Sequence, residues 1–262
     1  MGLLERIQKG SVSAPRRTLL YGTHGIGKST FGAMAEAPVF IQTEDGLAAI
    51  ECDRFPLAQR YGDVITALSE LYAQPHTYRT LVLDSLDWLE RLIWGEVCDK
   101  RGVESIEDIG YGKGYVFALT HWREVLAGLD ALRNERGMGI ILIAHAQIER
   151  FANPETDTYD RYSPRLQKLA SAMVQEWCDE VLFATYRIHT KTTSEGFDRK
   201  RVVGLGTGER ILRTTERPAH VAKNRLNLPE ELALDYRTYA ALVRGEHLTD
   251  ATNTPQPAEQ GA

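Results

Sequence analysis

Cysteine is scarce in this 262-residue chain: Cys52, Cys98 and Cys178 lie far apart, with no Cys-x-x-Cys pair and no histidine cluster near them. That spacing excludes the usual zinc patterns and a disulfide framework, so reduced thiols and a cytoplasmic compartment are expected. Long apolar runs are missing as well. None approaches the roughly 18–20 residues of a membrane helix, and no membrane partner is expected. The opening segment MGLLERIQKGSVSAPRR has neither the apolar stretch nor the cleavage site of a secretory signal. Nor does one sign of charge dominate. With 31 Lys and Arg against 36 Asp and Glu the net charge is −5, which argues against coating duplex DNA by bulk electrostatics. The balance reverses locally: residues 187–225 hold ten Lys or Arg and four Asp or Glu.

What is present is the composition of a soluble globular protein, 43% apolar and 26% charged, at a length that suits one large domain. Short apolar strands alternate with helical segments. Strands are predicted at 17–21, 39–42, 80–84 and 140–144, and helices at 28–36, 66–73, 86–100 and 115–136. This alternation predicts an α/β fold with a largely parallel sheet. Beyond residue 150 the pattern changes. Residues 150–162 are polar and turn-rich, Ser163-Pro164 reads as a helix start, and strands at 181–190, 201–205 and 210–214 predict an antiparallel extension of the sheet. Gly206–Gly208 reads as a turn between the last two, and residues 229–244 as a final helix. The domain is placed at residues 1–248. Residues 249–262 lack large apolar side chains and are expected to form a disordered tail.

One motif is specific. GTHGIGKS, Gly22–Ser29, fits G-x-x-x-x-G-K-[ST] at every fixed position and lies between an apolar strand and a helix. Backbone N–H groups of such a loop surround the phosphates of a nucleoside triphosphate, the lysine reaches the β/γ oxygens, and the hydroxyl ligates Mg²⁺. The nucleotide cradle is therefore Gly22, Thr23, His24, Gly25, Ile26, Gly27, Lys28, Ser29 and Thr30, with ATP and Mg²⁺ as cofactors. TLVLDS at 80–85 ends a buried strand in Asp84, the expected second metal ligand beside Ser29. Hydrolysis also needs a group that orients or deprotonates water. Ser85 occupies the slot after Asp84, so the candidate is Glu44 in VFIQTEDG, with Asp45 as the alternative.

A second glycine loop, GYGKGY at 110–115, lacks the G-K-[ST] ending and a preceding apolar strand. It is not a second phosphate cradle. Taken in order, the P-loop, Thr43-Glu44, Asp84-Ser85, the strand ending at His145 and AKNR at 222–225 resemble the RecA-type recombinase core. More narrowly, the chain resembles the phage-encoded RecA-like ATPases associated with single-strand annealing (Sak-type), over roughly residues 15–245.

The resemblance implies a catalytic role for Glu44 beside Lys28. It puts His145 where recombinases have a γ-phosphate-sensing glutamine, and it makes Lys223 and Arg225 cations offered to a neighbouring subunit's ATP. Both would lie on one face of a strand, with Asn224 pointing away. The protein would then form homo-oligomers, as a ring or a filament. The resemblance also implies two single-stranded-DNA loops, one with Tyr111, Lys113 and Tyr115, the other at 147–162 with Arg150, Phe151 and Arg161. Cations there would meet phosphates and aromatics would stack on bases. A single-strand-binding protein is a conceivable partner. The chain has no room for the extra domains of a full recombinase, which favours annealing over strand exchange. A P-loop kinase, with residues 198–217 as its lid, and a motor ATPase are the competing readings.

Overall fold

The structure, a computed structural model, describes residues 14–194 and 200–246 together with positions 5, 7 and 10. The tail expected at 249–262 lies outside the described residues.

Four of the predicted strands form the centre of the sheet: β1 (Arg17–Gly22), β2 (Pro38–Gln42), β4 (Thr80–Asp84) and β5 (Gly139–Phe151). Together with β3 (Asp53–Arg54) and β7 (Glu180–Ser194) they run parallel in the order β7-β1-β5-β4-β2-β3. Beyond β7, β8 (Lys200–Arg213) and β10 (Glu231–Ala233) add antiparallel strands. The architecture is thus the expected α/β core, a mostly parallel sheet flanked by helices, with an antiparallel extension on its C-terminal side.

Both faces of the sheet are covered, which is why its strands read as continuous apolar runs. Alternate residues divide between two cores. Leu19, Tyr21, Leu81, Leu83, Ile140 and Leu142 pack against α2 (Tyr61–Ala73), α3 (Leu86–Arg101), α4 (Lys113–Glu135) and α5 (Lys168–Trp177). Leu20, Val82, Ile141 and Ile143 face the other way, toward α1 (Lys28–Ala33) and α6 (Tyr236–Val243). Parallel strands with these connections bring the ends of β1, β2, β4 and β5 to one edge of the sheet.

Four local expectations are corrected. Residues 150–162 are turn-rich only at 152–158: β5 continues to Phe151 and pairs antiparallel with β6 (Tyr159–Pro164), making a hairpin. Ser163-Pro164 ends that strand instead of opening a helix. Arg165 N–H bonds to the His145 carbonyl and Gln167 N–H to the Glu90 carboxylate, which hold a short bend out of the helix until α5 starts. Gly206–Gly208 lies within β8, where the β7–β8 register shifts opposite Tyr186 and Ile188 as in a bulge. Residues 229–235 do not extend the last helix: Glu231–Ala233 pairs with β8, and α6 begins only where the Asp235 side chain accepts from Thr238 N–H at 2.8 Å.

Candidate nucleotide site

The loop after β1 turns sharply at two glycines in the left-handed region, Gly25 at φ 69° and Gly27 at φ 109°. Its lysine folds inward. Lys28 is buried, and its ammonium donates to the carbonyls of Gly22 at 3.1 Å and Thr23 at 2.8 Å. Burial lowers its pKa; Asp84, Asp87 and Glu44 oppose that shift. Ser29, on the first turn of α1, donates to Asp84 at 2.6 Å. Burial pushes the Asp84 carboxyl up, and the Ser29 hydrogen bond and Lys28 pull it back.

A pocket of about 310 Å³ opens over this loop, lined among others by His24, Gly25, Gly27, Lys28, Ser29 and Thr30. Gly22 and Ile26 are buried beneath the loop, Ile26 as part of the second core, so they contribute backbone only; Thr23 is exposed beside the pocket. Ser29 and Asp84 offer hard oxygen donors, and the one ammonium among them rests on main-chain carbonyls that a phosphate can replace. That donor set fits a nucleotide with a divalent cation.

Glu44 reaches the pocket and Asp45 does not, being exposed beside it. The geometry comes from pairing the ends of β2 and β4. Thr43 Oγ1 donates to the Ser85 carbonyl at 2.6 Å and accepts from Ser85 N–H at 2.9 Å. Ser85 Oγ in turn donates to Glu44 at 3.0 Å. His145, at the point where β5 leaves the sheet, lines the same pocket with Nδ1 3.8 Å from Glu44.

Three residues at the site were not found by sequence reasoning: Asp87, Arg165 and Arg210. Asp87 is buried on the first turn of α3 and accepts from His145 N–H and from His145 Nδ1, each at 3.1 Å, and from Arg165. Burial alone would raise its pKa, but the hydrogen bonds from His145 and Arg165 hold the carboxyl well below the ordinary range. The only signal in the sequence was a second acid three residues after Asp84. Glu90, one turn further on, is equally buried but pairs with no cation among the described residues: burial lifts it to about 7, against the pull of the Gln167 N–H.

Lys223 lies in the two-residue strand β9 (Lys223–Asn224) but Arg225 falls just past it, so the expected strand carrying both cations ends between them; Asn224 bonds Thr214 and Leu228. Lys223 donates to the carbonyls of Gln175, Glu176 and Cys178 and so closes the C-terminus of α5. Arg225 lies 3.4 Å from Asp179 with its side chain 54% exposed. Neither lines the pocket within this chain.

The glycines of GYGKGY hold a fixed turn. Gly110 and Gly112 have φ near 70°, Gly112 precedes the first residue of α4, and a side chain on Gly114 would strike the Ile106 carbonyl. Tyr111 and Lys113 are exposed, whereas Tyr115 packs edge-on against Trp94 and donates to Glu107. On the β5–β6 hairpin Arg150 is exposed, but Arg161 is spent internally: it lies 3.9 Å over the Phe151 ring and pairs with Glu149 and Glu216. The supposed kinase lid is sheet: residues 200–213 are β8, and Asp198 and Arg199 lie outside the described residues.

A glycine loop between β1 and α1, its lysine and serine, and an aspartate ending β4 define a P-loop nucleotide-binding ATPase domain. The family described as AAA domain matches residues 14–226, and the chain belongs to it. Over 192 residues it is 25% identical to the SPbeta prophage-derived uncharacterized protein YorG of Bacillus subtilis (strain 168), covering 70% of this chain and 52% of that protein. The chain thus spans about half the length of that curated relative. Among solved structures it is similar to the RadB recombinase, at 11% identity and a TM-score of 0.46, covering 86% of this chain and 90% of that one. Among the described residues no helix is long and apolar enough to cross a membrane.

Proposed function

We propose that the protein is a Mg²⁺-dependent ATPase that assembles on single-stranded DNA in a host cytoplasm and promotes strand annealing, as the phage Sak-type proteins it resembles do. The observation that carries the hydrolytic part is the convergence of Lys28, Ser29, Asp84, Glu44 and His145 on one pocket from four strand ends. Ser29 and Asp84 would hold Mg²⁺, which neutralises charge between the phosphates. Lys28 leaves the loop carbonyls for the β/γ oxygens. Glu44, oriented by Ser85, takes the proton of the attacking water. Asp87 fixes Nδ1 of His145 and leaves Nε2 for the γ-phosphate.

His145 belongs to the same strand as the hairpin, which supports a mechanical link from phosphate to the presumed DNA loop. The prophage origin of one relative supports a phage setting. The trans-acting cation is Arg225, since the ammonium of Lys223 is already engaged.

A second reading rests on charge. The hairpin carries Glu149, Glu155, Asp157 and Asp160 against Arg150 and Arg161, and Glu107 and Asp108 precede GYGKGY. Acids at those places favour a protein contact over a nucleic acid. Turnover measured with and without single-stranded DNA separates the two. The DNA reading expects stimulation in the wild type, loss in Arg225→Ala, and partial recovery when Arg225→Ala is mixed with Lys28→Ala. It also expects Tyr111→Ala with Lys113→Ala to lower the salt slope of DNA binding by about one. DNA-independent turnover that survives in Arg225→Ala overturns it.

A further inference from the structure

Arg210 stands apart from several other basic side chains in the second half of the chain. Arg165, Arg187, Arg213, Lys223 and Arg225 are each paired with a carboxylate or capped by carbonyls. The Arg210 side chain has no hydrogen bond or ion pair among the described residues, yet it lines the nucleotide pocket. Its backbone is fixed from both sides, by pairing with Tyr186 of β7 and by accepting from Leu234 N–H at 3.0 Å. A Cβ added at Gly27 would lie 3.2 Å from Arg210 Nη1, so the guanidinium rests against the P-loop at the residue before Lys28.

That position has a chemical meaning. The loop backbone cradles the α- and β-phosphates, whereas the γ-phosphate end of the pocket is occupied by Glu44 and His145. A diphosphate brings more negative charge than Lys28 alone can neutralise. Holding an unpaired arginine beside the loop costs little in a site that awaits an anion, and its planar fork suits phosphate oxygens.

We infer that Arg210 binds the α/β-phosphates of the nucleotide from within the same chain, and so recognises nucleoside diphosphates and triphosphates alike. This rests on the nucleotide assignment of the pocket. It also gives the antiparallel extension a purpose, since β8 carries a cation to the loop.

Calorimetric titration of the full chain with ADP and with ATP tests the assignment, using wild type, Arg210→Ala, Arg210→Lys and Arg217→Ala. Arg217 is an exposed neighbour in the same basic stretch, bonded to Glu230, and controls for bulk charge. Loss of a charged hydrogen bond predicts that Arg210→Ala weakens ADP and ATP by the same factor, roughly 10- to 100-fold. Arg210→Lys should fall between, and Arg217→Ala should match the wild type. ADP affinity within twofold of wild type in Arg210→Ala overturns the inference, as does a loss confined to ATP. A wild type that binds neither nucleotide overturns the nucleotide site itself.

Discussion

The strand ends around the P-loop and the β5–β6 hairpin are built from the same side chains, acids set against arginines, and use them in opposite ways. At the strand ends Lys28, Asp84 and Asp87 are buried, and each charge has fixed partners: loop carbonyls, a serine, a histidine and Arg165. On the hairpin it is the acids that face water: Arg161 is largely covered by Phe151 and meets Glu149 and the exposed Glu216. Buried charges are costly to strip of a partner, roughly 3–5 kcal/mol, whereas exposed pairs contribute about 0–1 kcal/mol. The first region is therefore fixed by its electrostatics. The second is free to exchange its internal pairs for a ligand.

The largest expected effect probes the chemistry of the first region. Glu44→Gln keeps an acceptor for Ser85 but removes the base, and turnover should fall about 10²–10⁴-fold while ATP binding stays within a few-fold. Single-turnover assays with titration of bound ATP check both; full turnover in Glu44→Gln would hand the role to another group. The next effect compares the regions directly. Asp87→Asn leaves Arg165 and His145 without their carboxylate and should cost about 3 kcal/mol of stability. Arg161→Ala on the hairpin, which loses an ion pair with partly exposed acids and the stacking on Phe151, should cost about 1 kcal/mol. Urea unfolding of both variants decides it, and equal losses would erase the distinction.

The same division explains what could be read from the chain beforehand. Gly22–Ser29, Asp84, Glu44 and His145 were legible because each lies where the buried part of a strand stops or just beyond it, and an apolar run stopping at a polar residue survives in one dimension. Asp87 and Arg165 are 78 residues apart and become a pair only when α3 and the β5–β6 hairpin meet. Arg210 sat unmarked among the ten basic residues of 187–225, and only the proximity of β8 to Gly27 singles it out. Local signals failed where tertiary hydrogen bonds overruled them. Pro164 looked like a helix start until the His145 carbonyl and Glu90 carboxylate are seen holding residues 165 and 167. GYGKGY drew attention as a glycine loop without a phosphate ending, and the structure gives its glycines another use, a turn at Gly110 and Gly112 and the close approach of Gly114 to Ile106.

Asp87 and Glu90 bring the comparison down to one helix. Both are buried on α3, one turn apart, and only Asp87 pairs with cations among the described residues. Asp87 is held ionised, whereas burial lifts Glu90 to about 7. The sign follows from linkage: a carboxyl raised in the folded state binds its proton more tightly there than in the unfolded chain. Its contribution is complete below the ordinary carboxyl range and disappears as pH rises toward 7. Above that, the buried charge costs on the order of 2–3 kcal/mol. Glu90→Gln is neutral at every pH and can still accept from Gln167 N–H. It should match the wild type near pH 4.5, exceed it by on the order of 2 kcal/mol at pH 8, and flatten the stability profile between them. Chemical denaturation at those two pH values measures the difference. If the variant is no more stable than the wild type at pH 8, Glu90 has found a partner for its charge, and burial without a cation is not what separates it from Asp87.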